Sequence, residues 1–528
     1  MASYGHGNSG GKVFRDNCVA GDYVKLSSVA VSIIDTPIFQ RLRYLKQLGM
    51  TEFVYPGATH TRFAHSLGVA HRARELGARL RERQPELAAS DRDLLLLEVA
   101  GLCHDLGHGP FSHAFETELV PKLLKEGEQW EHERMSCRLL DHIVATYRVD
   151  LSAEELARVK DLMLGELNYT DKADWAGREW MFDVVANKRN GLDVDKLDYL
   201  KRDNVACGEL TTSEFSALYE NMRVIRGEVC FRASVRSAVQ DVYAARAKLH
   251  EWVYTHPVCK AVEYMCIDAM LLAAEELGIA AALHDPDRYA LLDDTIIRDI
   301  ERLTSKAPNV LRAQELLRRL RHRDIYKIVA SVDVPQSRVL DFPKVTAADV
   351  LAHQDSAASG VLLQEDDVRI QSLRIDFTAQ HRNPLEHVGM YINDEDEEPH
   401  YLEVPFAPGF FVTRQVRIFL TRLCDTPQEK ERYQAAARAA FTRWKQQALP
   451  NVPVLSPQKS SLTASARKRR RTDSEHGATG GSSSAGATAA AGAAVVATAA
   501  DSRAEADDEA EPPACSQSQP PAKKQLAL

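Results

Sequence analysis

A histidine and an aspartate stand side by side at His104-Asp105, directly after a dense apolar run. Together they offer an imidazole nitrogen and a hard carboxylate oxygen to one cation. The run continues as Leu106-Gly107-His108-Gly109-Pro110-Phe111-Ser112-His113, adding two more imidazoles. Upstream, Arg62 and His65 are three apart, which puts a cation and an imidazole on one helical face. Downstream, Asp193, Asp195 and Asp198 follow the turn Asn190-Gly191. The order His, His-Asp, Asp is a mixed nitrogen and oxygen set. It suits Mn²⁺, Fe or Zn²⁺, with Mg²⁺ as a competitor. Such an ion lowers the pKa of bound water and orients it against a phosphorus centre. Simple helix capping by His104 and Asp105 would account for one of these segments, not three.

The elements that must position these groups read mostly as helices. Asp93 to Leu102 is a buried helix by its apolar density, with Ser90 or Asp91 as its N-cap. Ser152-Ala153-Glu154-Glu155 fits a capping box. Ser237 to Glu276 is a long helical stretch interrupted at Pro257, and Leu311 to Leu320 is a basic amphipathic helix. Val368 to Phe377 and Val388 to Asn393 alternate as strands do and are expected to share a small sheet. Gln428 to Gln447 is a last helix.

Composition bounds the rest. The chain has 528 residues, a formal charge of −9 and 45% hydrophobic residues, which excludes a wholly disordered chain and a chain-wide basic surface. Nine cysteines contain no CxxC pair, which argues against a zinc ribbon and for a reduced intracellular compartment. No secretory signal is visible, and the run Ala485 to Ala500 is too short and too weakly apolar to span a membrane. Beyond Pro457 large apolar residues almost vanish, so 456–528 is expected to be disordered, as is 1–11. Between them we expect a catalytic domain over 12–330 and an α+β C-terminal lobe over 331–455.

Several runs carry a family resemblance: Ile34 through Tyr44, Tyr55-Pro56-Gly57-Ala58-Thr59-His60, His65-Ser66-Leu67-Gly68-Val69, His104 through His113, and Asn187-Lys188-Arg189-Asn190-Gly191. The chain resembles the HD superfamily of metal-dependent phosphohydrolases. More narrowly, it is similar to the vertebrate SAM-and-HD-domain dNTP triphosphohydrolases, over roughly residues 12 to 459. The SAM domain is expected to be absent. The resemblance implies a mainly α fold: an HD-domain helical phosphohydrolase core, a smaller α+β C-terminal lobe and a disordered tail. It implies that His65, His104, Asp105 and Asp195 hold the metal, and that water attacks the α-phosphorus of a dNTP to release deoxynucleoside and triphosphate. His113 and His132 would be the acid/base and charge-stabilising histidines, with Glu116 where the family has Asp. His108 is a phosphate contact or a structural histidine.

The same resemblance implies a substrate pocket. Arg62, Lys196 and Arg246 would meet the triphosphate, since a polyanion needs fixed cations. Gln47 and Asp203 would bind the sugar 3′-hydroxyl, Tyr199 would stack on the sugar, and Leu48 would crowd the 2′ position. His250 and Tyr254 match positions at the base end. A first regulatory site for GTP or dGTP would use Lys12, Val13, Asp35, Gln40, Arg43 and Arg417. Asp35 is expected both to read guanine and to cap the helix starting at Pro37. A second site retains Arg232 and His256, but Ala217, Ser234, Trp252, Pro257 and Thr421 replace basic family positions. Short insertions after Val13 and before Trp130, and a shortened segment near Arg226 to Val229, are further departures. Activation by GTP alone, another activator and constitutive activity all stay open. The family's regulated members are homo-oligomers, so a dimer to tetramer is expected.

In the tail, Arg467-Lys468-Arg469-Arg470-Arg471 reads as a nuclear import signal, with the cytoplasm as second choice. Ser456-Pro457-Gln458-Lys459 has a proline-directed kinase pattern, making Ser456 a candidate phosphosite. Two alternatives compete with the dNTPase reading. One is another HD phosphohydrolase, a nucleotidase or phosphodiesterase. The other is a non-catalytic protein binding single-stranded nucleic acid through Arg312 to Arg323. No membrane partner is expected.

Overall fold

The first well-formed helix of the catalytic segment, Arg62–Arg83, carries small residues at Gly68, Ala70, Ala73 and Gly77 along its buried face. Gly77 faces Leu94 and Leu97 and the Val69-Ala70 backbone faces Gly101, so the helix Asp91–Cys103 lies close against it, while Gly68 faces Asp198. That second helix has Ser90 as its N-cap, in a capping box closed by Asp93. Two orphan backbone donors are satisfied there, which fixes where the helix begins and so where it delivers His104. The box at Ser152 and Glu155 starts the helix Ala153–Leu164 in the same way.

The computed structural model describes residues 11–19, 23–211, 215–376, 383–401 and 412–455. The expectations for the N-terminus through residue 10, for the basic run 467–471 and for Ser456 lie outside them. Nine strands are described: β1 (Lys12–Arg15), β2 (Tyr23–Leu26), β3 (Met222–Ile225), β4 (Glu228–Arg232), β5 (Lys327–Asp333), β6 (Val368–Asp376), β7 (Gly389–Tyr391), β8 (His400–Tyr401) and β9 (Val412–Leu420). They form a hairpin β1-β2, a sheet β3-β4-β7-β8 and a sheet β5-β9-β6. Helices make up most of the remainder, so the fold is mainly α with small sheets.

One sequence expectation fails here. Val368 to Asp376 and the strand at Gly389–Tyr391 do not share a sheet. The first pairs antiparallel with β9, from Val368 opposite Leu420 to Asp376 opposite Val412. The second pairs parallel with β4, Phe231 opposite Met390. Period-2 alternation identifies strands but carries no information about partners, and the partner of β6 is the later strand β9.

The main hydrophobic core gathers the helical residues around Leu97, Leu102, Leu139, Trp180 and Met265. A second core collects Val329, Val416, Ile418 and Phe441 where the helix Pro427–Ala448 covers the β5-β9-β6 sheet. The long stretch from Ser237 divides into a helix Arg236–Leu249, a π-turn His250–Tyr254 and a helix Pro257–Ala273. Pro257 occupies the first turn of that last helix, where its missing N–H costs nothing. The eight described cysteines are all buried and free. Among the described residues no helix is long and apolar enough to cross a membrane.

Candidate metal centre and nucleotide pocket

Three helix ends converge. Arg62 and His65 lie on the first turn of Arg62–Arg83, and His104 is the C-cap of Asp91–Cys103. Asp195 is on the first turn of Val194–Ala206, whose N-cap Asp193 accepts from the Lys196 backbone N–H at 2.9 Å. The turn after His104 is held from beneath by the buried Arg41 guanidinium. It donates to the carbonyls of Leu106 at 2.6 Å, His108 at 3.0 Å and Leu292 at 2.7 Å. Gly107 allows the turn to approach the helix His132–Tyr147, since a Cβ there would meet the His132 carbonyl oxygen at 2.0 Å.

Phe111 and Ser112 both adopt left-handed backbone, with φ of 61° and 58°. Non-glycine residues rarely do so, and the surroundings must hold them there. Asp294 accepts the Phe111 N–H at 2.8 Å, and Ser112 Oγ accepts from Arg62 Nε at 2.9 Å. Burial pushes the Asp294 carboxyl up to about 6.

His65 Nε2 lies 2.9 Å from Asp195 Oδ1 and 3.6 Å from Asp105 Oδ2. His104 Nε2 lies 3.4 Å from both Asp105 Oδ1 and Asp195 Oδ1. Both Nε2 atoms are buried with no hydrogen bond of good geometry among the described residues. Their other nitrogens are engaged: His65 Nδ1 with Asp198 Oδ2 at 2.9 Å, His104 Nδ1 with the Gly101 carbonyl at 2.8 Å. This arrangement turns the Nε2 lone pairs inward, as a metal ligand requires. Burial opposes protonation of both rings, but the facing carboxylates outweigh it and raise both. Burial likewise opposes ionisation of Asp105, yet Arg62 and His104 hold it well below the usual range. The pocket therefore favours positive charge between these groups, and the residues present fit a divalent cation.

Beside this group, His108 stacks on His132 with ring centroids 3.9 Å apart, and His113 stands edge-on to both. Glu116 joins His132, not His113: Glu116 Oε2 lies 2.8 Å from His132 Nδ1. Glu116 also accepts the His132 backbone N–H at 3.2 Å. The extra methylene of Glu lets it reach the neighbouring helix. His132 is thus connected. Burial, then Arg62 and His132, push His113 down to about 4 although one side of it meets solvent. The same causes, in the same order, hold His108 well below its usual value.

Arg62 is buried and bonded to Asp105 as well as Ser112. The Lys196 ammonium is bonded to the Gly191 carbonyl. Tyr199 sits one helical turn after Asp195, and both Asp195 and Arg246 act on its hydroxyl. Asp203 is 2% exposed and already engaged: Oδ1 lies 2.7 Å from His60 Nε2, and Oδ2 accepts from the Tyr254 hydroxyl at 2.8 Å. The Gln47 side-chain oxygen is buried without a donor, and Leu48 is half-buried beside it. His250 and Tyr254 are the first and last residues of the π-turn, with rings edge-to-face at 4.9 Å.

The regulatory positions separate into groups. Lys12 pairs with Asp35, Gln40 donates to the Ile34 carbonyl at 2.8 Å, and Arg43 donates to Gln40 Oε1 at 2.7 Å. Val13 is exposed on the neighbouring strand. Asp35 does not cap the Pro37 helix. Thr36 does, its hydroxyl accepting from the Phe39 N–H at 3.3 Å, while the Asp35 side chain turns to Lys12. Thr36 is one residue closer, which is the N-cap position itself. Arg417 makes its hydrogen bonds elsewhere, to Gln415, Gln371 and the Thr255 carbonyl. Thr255 is beside His256, which N-caps Pro257–Ala273. Arg232 pairs instead with Asp394.

Three participants receive no role of their own from residue type, although Asp198 and His60 lie within the runs singled out above. Asp198 orients His65, His60 grips Asp203, and Asp294 braces the strained turn. Asp198 was legible in principle, three residues after Asp195 on one helix face. The basic helix is no open cationic stripe: Arg318 and Arg319 pair with Glu315, Arg321 with Glu301, and Arg323 packs on Phe53.

Comparison with known proteins agrees with this geometry. Residues 62–203 match the HD domain and residues 215–374 the HD associated region. The chain is 34% identical over 427 residues to the deoxynucleoside triphosphate triphosphohydrolase SAMHD1 homolog of Dictyostelium discoideum, covering 80% of this chain and 79% of that protein. It is 30% identical over 461 residues to deoxynucleoside triphosphate triphosphohydrolase SAMHD1 of Homo sapiens, covering 80% and 72%. A putative HD domain-containing protein, L394, of Acanthamoeba polyphaga mimivirus is 33% identical over 300 residues, covering 54% and 63%. Inward-facing imidazoles and carboxylates on an HD scaffold, with this identity over most of its length, mean that the chain belongs to the HD-domain deoxynucleoside triphosphate triphosphohydrolase family.

Proposed function

We infer that this protein is a metal-dependent dNTP triphosphohydrolase, converting a dNTP and water to deoxynucleoside and inorganic triphosphate. The observation that carries the reading is the pair of buried nitrogens His65 Nε2 and His104 Nε2, without a well-formed hydrogen bond, facing Asp105 and Asp195. These four residues would hold a divalent ion, which would supply Lewis acidity at the α-phosphate and lower the pKa of water. Mn, Fe, Zn and Mg all suit the donor set.

The chain's own residues do the rest. Arg62, Lys196 and Arg246 line the triphosphate path and offset its charge. His132 keeps Nδ1 on Glu116 and presents Nε2 to the reacting phosphate. Burial, with Arg62 and His132, holds His113 neutral; arriving phosphate offsets those charges, so that His113 gains a proton for the departing 5′-oxygen. His108, stacked on His132, backs the phosphate site. Gln47 and Asp203 take the 3′-hydroxyl, Tyr199 packs on the sugar, and Leu48 disfavours a 2′-hydroxyl. His250 and Tyr254 face the base.

GTP or dGTP is the proposed activator, held by Lys12, Val13, Asp35, Gln40 and Arg43. Arg417, whose described hydrogen bonds go to Thr255, Gln371 and Gln415 and not to these residues, would be supplied by a second copy in a dimer to tetramer. The lobe around the second core would carry that contact. Arg232 and His256 alone make a weak second site. A nuclear location is proposed on the basic run 467–471, and Ser456 as a phosphosite. Single-stranded nucleic-acid binding is the alternative, and the ion pairs along 312–323 weigh against it.

The test is to incubate purified protein with each dNTP and a divalent metal, with and without GTP, and to chromatograph the products. Deoxynucleoside plus triphosphate is expected, with none from Asp105→Ala. Release of dNMP or dNDP would assign it to another HD hydrolase class.

A further inference from the structure

His60 holds two pocket residues from one position. Its ring Nε2 lies 2.7 Å from Asp203 Oδ1, and its backbone carbonyl accepts the Gln47 N–H at 3.0 Å. Its Nδ1 is buried with no partner. A buried N–H without an acceptor is rarer than a bare lone pair. The arrangement therefore favours the tautomer that carries hydrogen on Nε2 and donates it to Asp203.

Asp203 is 2% exposed and receives two donors, His60 on Oδ1 and Tyr254 on Oδ2. A carboxylate has about four lone-pair positions. Two therefore remain, and only a donor can fill them. The nearby Gln47 side-chain oxygen is also a buried acceptor without a donor. A ligand hydroxyl placed at Asp203 supplies one such donor, and a ligand lacking it leaves a buried acceptor unpaired.

We propose that His60 is a positioning residue that sets selection for the sugar 3′-hydroxyl by clamping Asp203 with its ring and the Gln47 segment with its carbonyl. This rests on the reading of Gln47 and Asp203 as the sugar contacts. His60 itself touches no substrate atom. Without its ring donor, Asp203 keeps only the Tyr254 bond, can rotate, and no longer presents its free lone pairs in one direction.

The test compares dGTP with 2′,3′-dideoxy-GTP, which lacks the hydroxyl. The ratio of the dideoxy inhibition constant to the dGTP KM is measured for wild type, His60→Gln and His60→Asn. The Gln amide nitrogen reaches the place of His Nε2, whereas the Asn amide falls short. Wild type and His60→Gln are expected to keep a high ratio, and His60→Asn to lose about tenfold or more, the worth of one hydrogen bond to a charged group. Equal ratios for His60→Asn and wild type would overturn the role of His60 while leaving the sugar contacts intact. A His60→Gln ratio no better than that of His60→Asn would overturn it too. No preference in the wild type would instead overturn the sugar reading, and this inference with it.

Discussion

Asp198 Oδ2 lies 2.9 Å from His65 Nδ1, and the same fully buried carboxylate also accepts from Arg72 and Arg202. Those arginines reach the N-terminal hairpin, Arg202 to Asp16 at 2.9 Å and Arg72 to the Cys18 carbonyl. Gly68 makes room, since a Cβ there would meet Asp198 Oδ1 at 2.3 Å. One carboxylate therefore ties His65, a candidate metal ligand, to the strand pair that carries Lys12.

Asp198→Asn keeps the shape but removes the negative charge that orients His65. Outer partners of this kind are worth roughly 10–100-fold in metal affinity. We expect a loss of that size in metal titration of the purified protein. Unchanged metal content would show that His65 is oriented by packing alone.

Glu116→Gln removes the negative partner of His132. General acid/base groups contribute roughly 10²–10⁴-fold. The expected result is a fall in kcat towards that range with little change in KM. A change confined to KM would make the pair a binding feature.

Asp35→Ala leaves Lys12 without its carboxylate and should abolish the response to GTP. Sedimentation with and without GTP checks this, since the wild type is expected to gain mass and the variant is not. A variant that assembles like wild type would remove Asp35 from the activator site.

Burial, then Arg246 and His113, push His250 down to about 3. An unfolded histidine titrates near 6.5, so below that pH the unfolded chain binds the extra proton. Stability is then full above about 6.5 and is lost as pH falls towards 3, by at most ~1.4 kcal/mol per pH unit for this group. Thermal melts of wild type and His250→Gln between pH 7.5 and 5 should show a shallower acid loss in the variant. Parallel curves would mean that His250 is charged in the folded protein.

The sequence was most informative where chemistry is local. His104 beside Asp105, Ser90 and Ser152 ahead of their helices, and Pro257 at a helix start all announce themselves within a few residues. Long-range partners did not. The pairing of β6 with β9, of Glu116 with His132 and of His60 with Asp203 joins segments 36, 16 and 143 residues apart or more, and residue type does not record it. Thr36 and Asp35 are adjacent and both are good cap residues; Thr36 takes the N-cap position before Pro37, and the side chain of Asp35 turns to the distant Lys12.

The most direct test of the central claim is hydrolysis of dGTP in ¹⁸O-water by the metal-loaded protein, with both products analysed by mass spectrometry. Attack at the α-phosphorus within the His65, His104, Asp105 and Asp195 group predicts one labelled oxygen in triphosphate and none in deoxyguanosine. Label in the deoxyguanosine hydroxyl, or in phosphate or pyrophosphate released beside dGDP or dGMP, would contradict it.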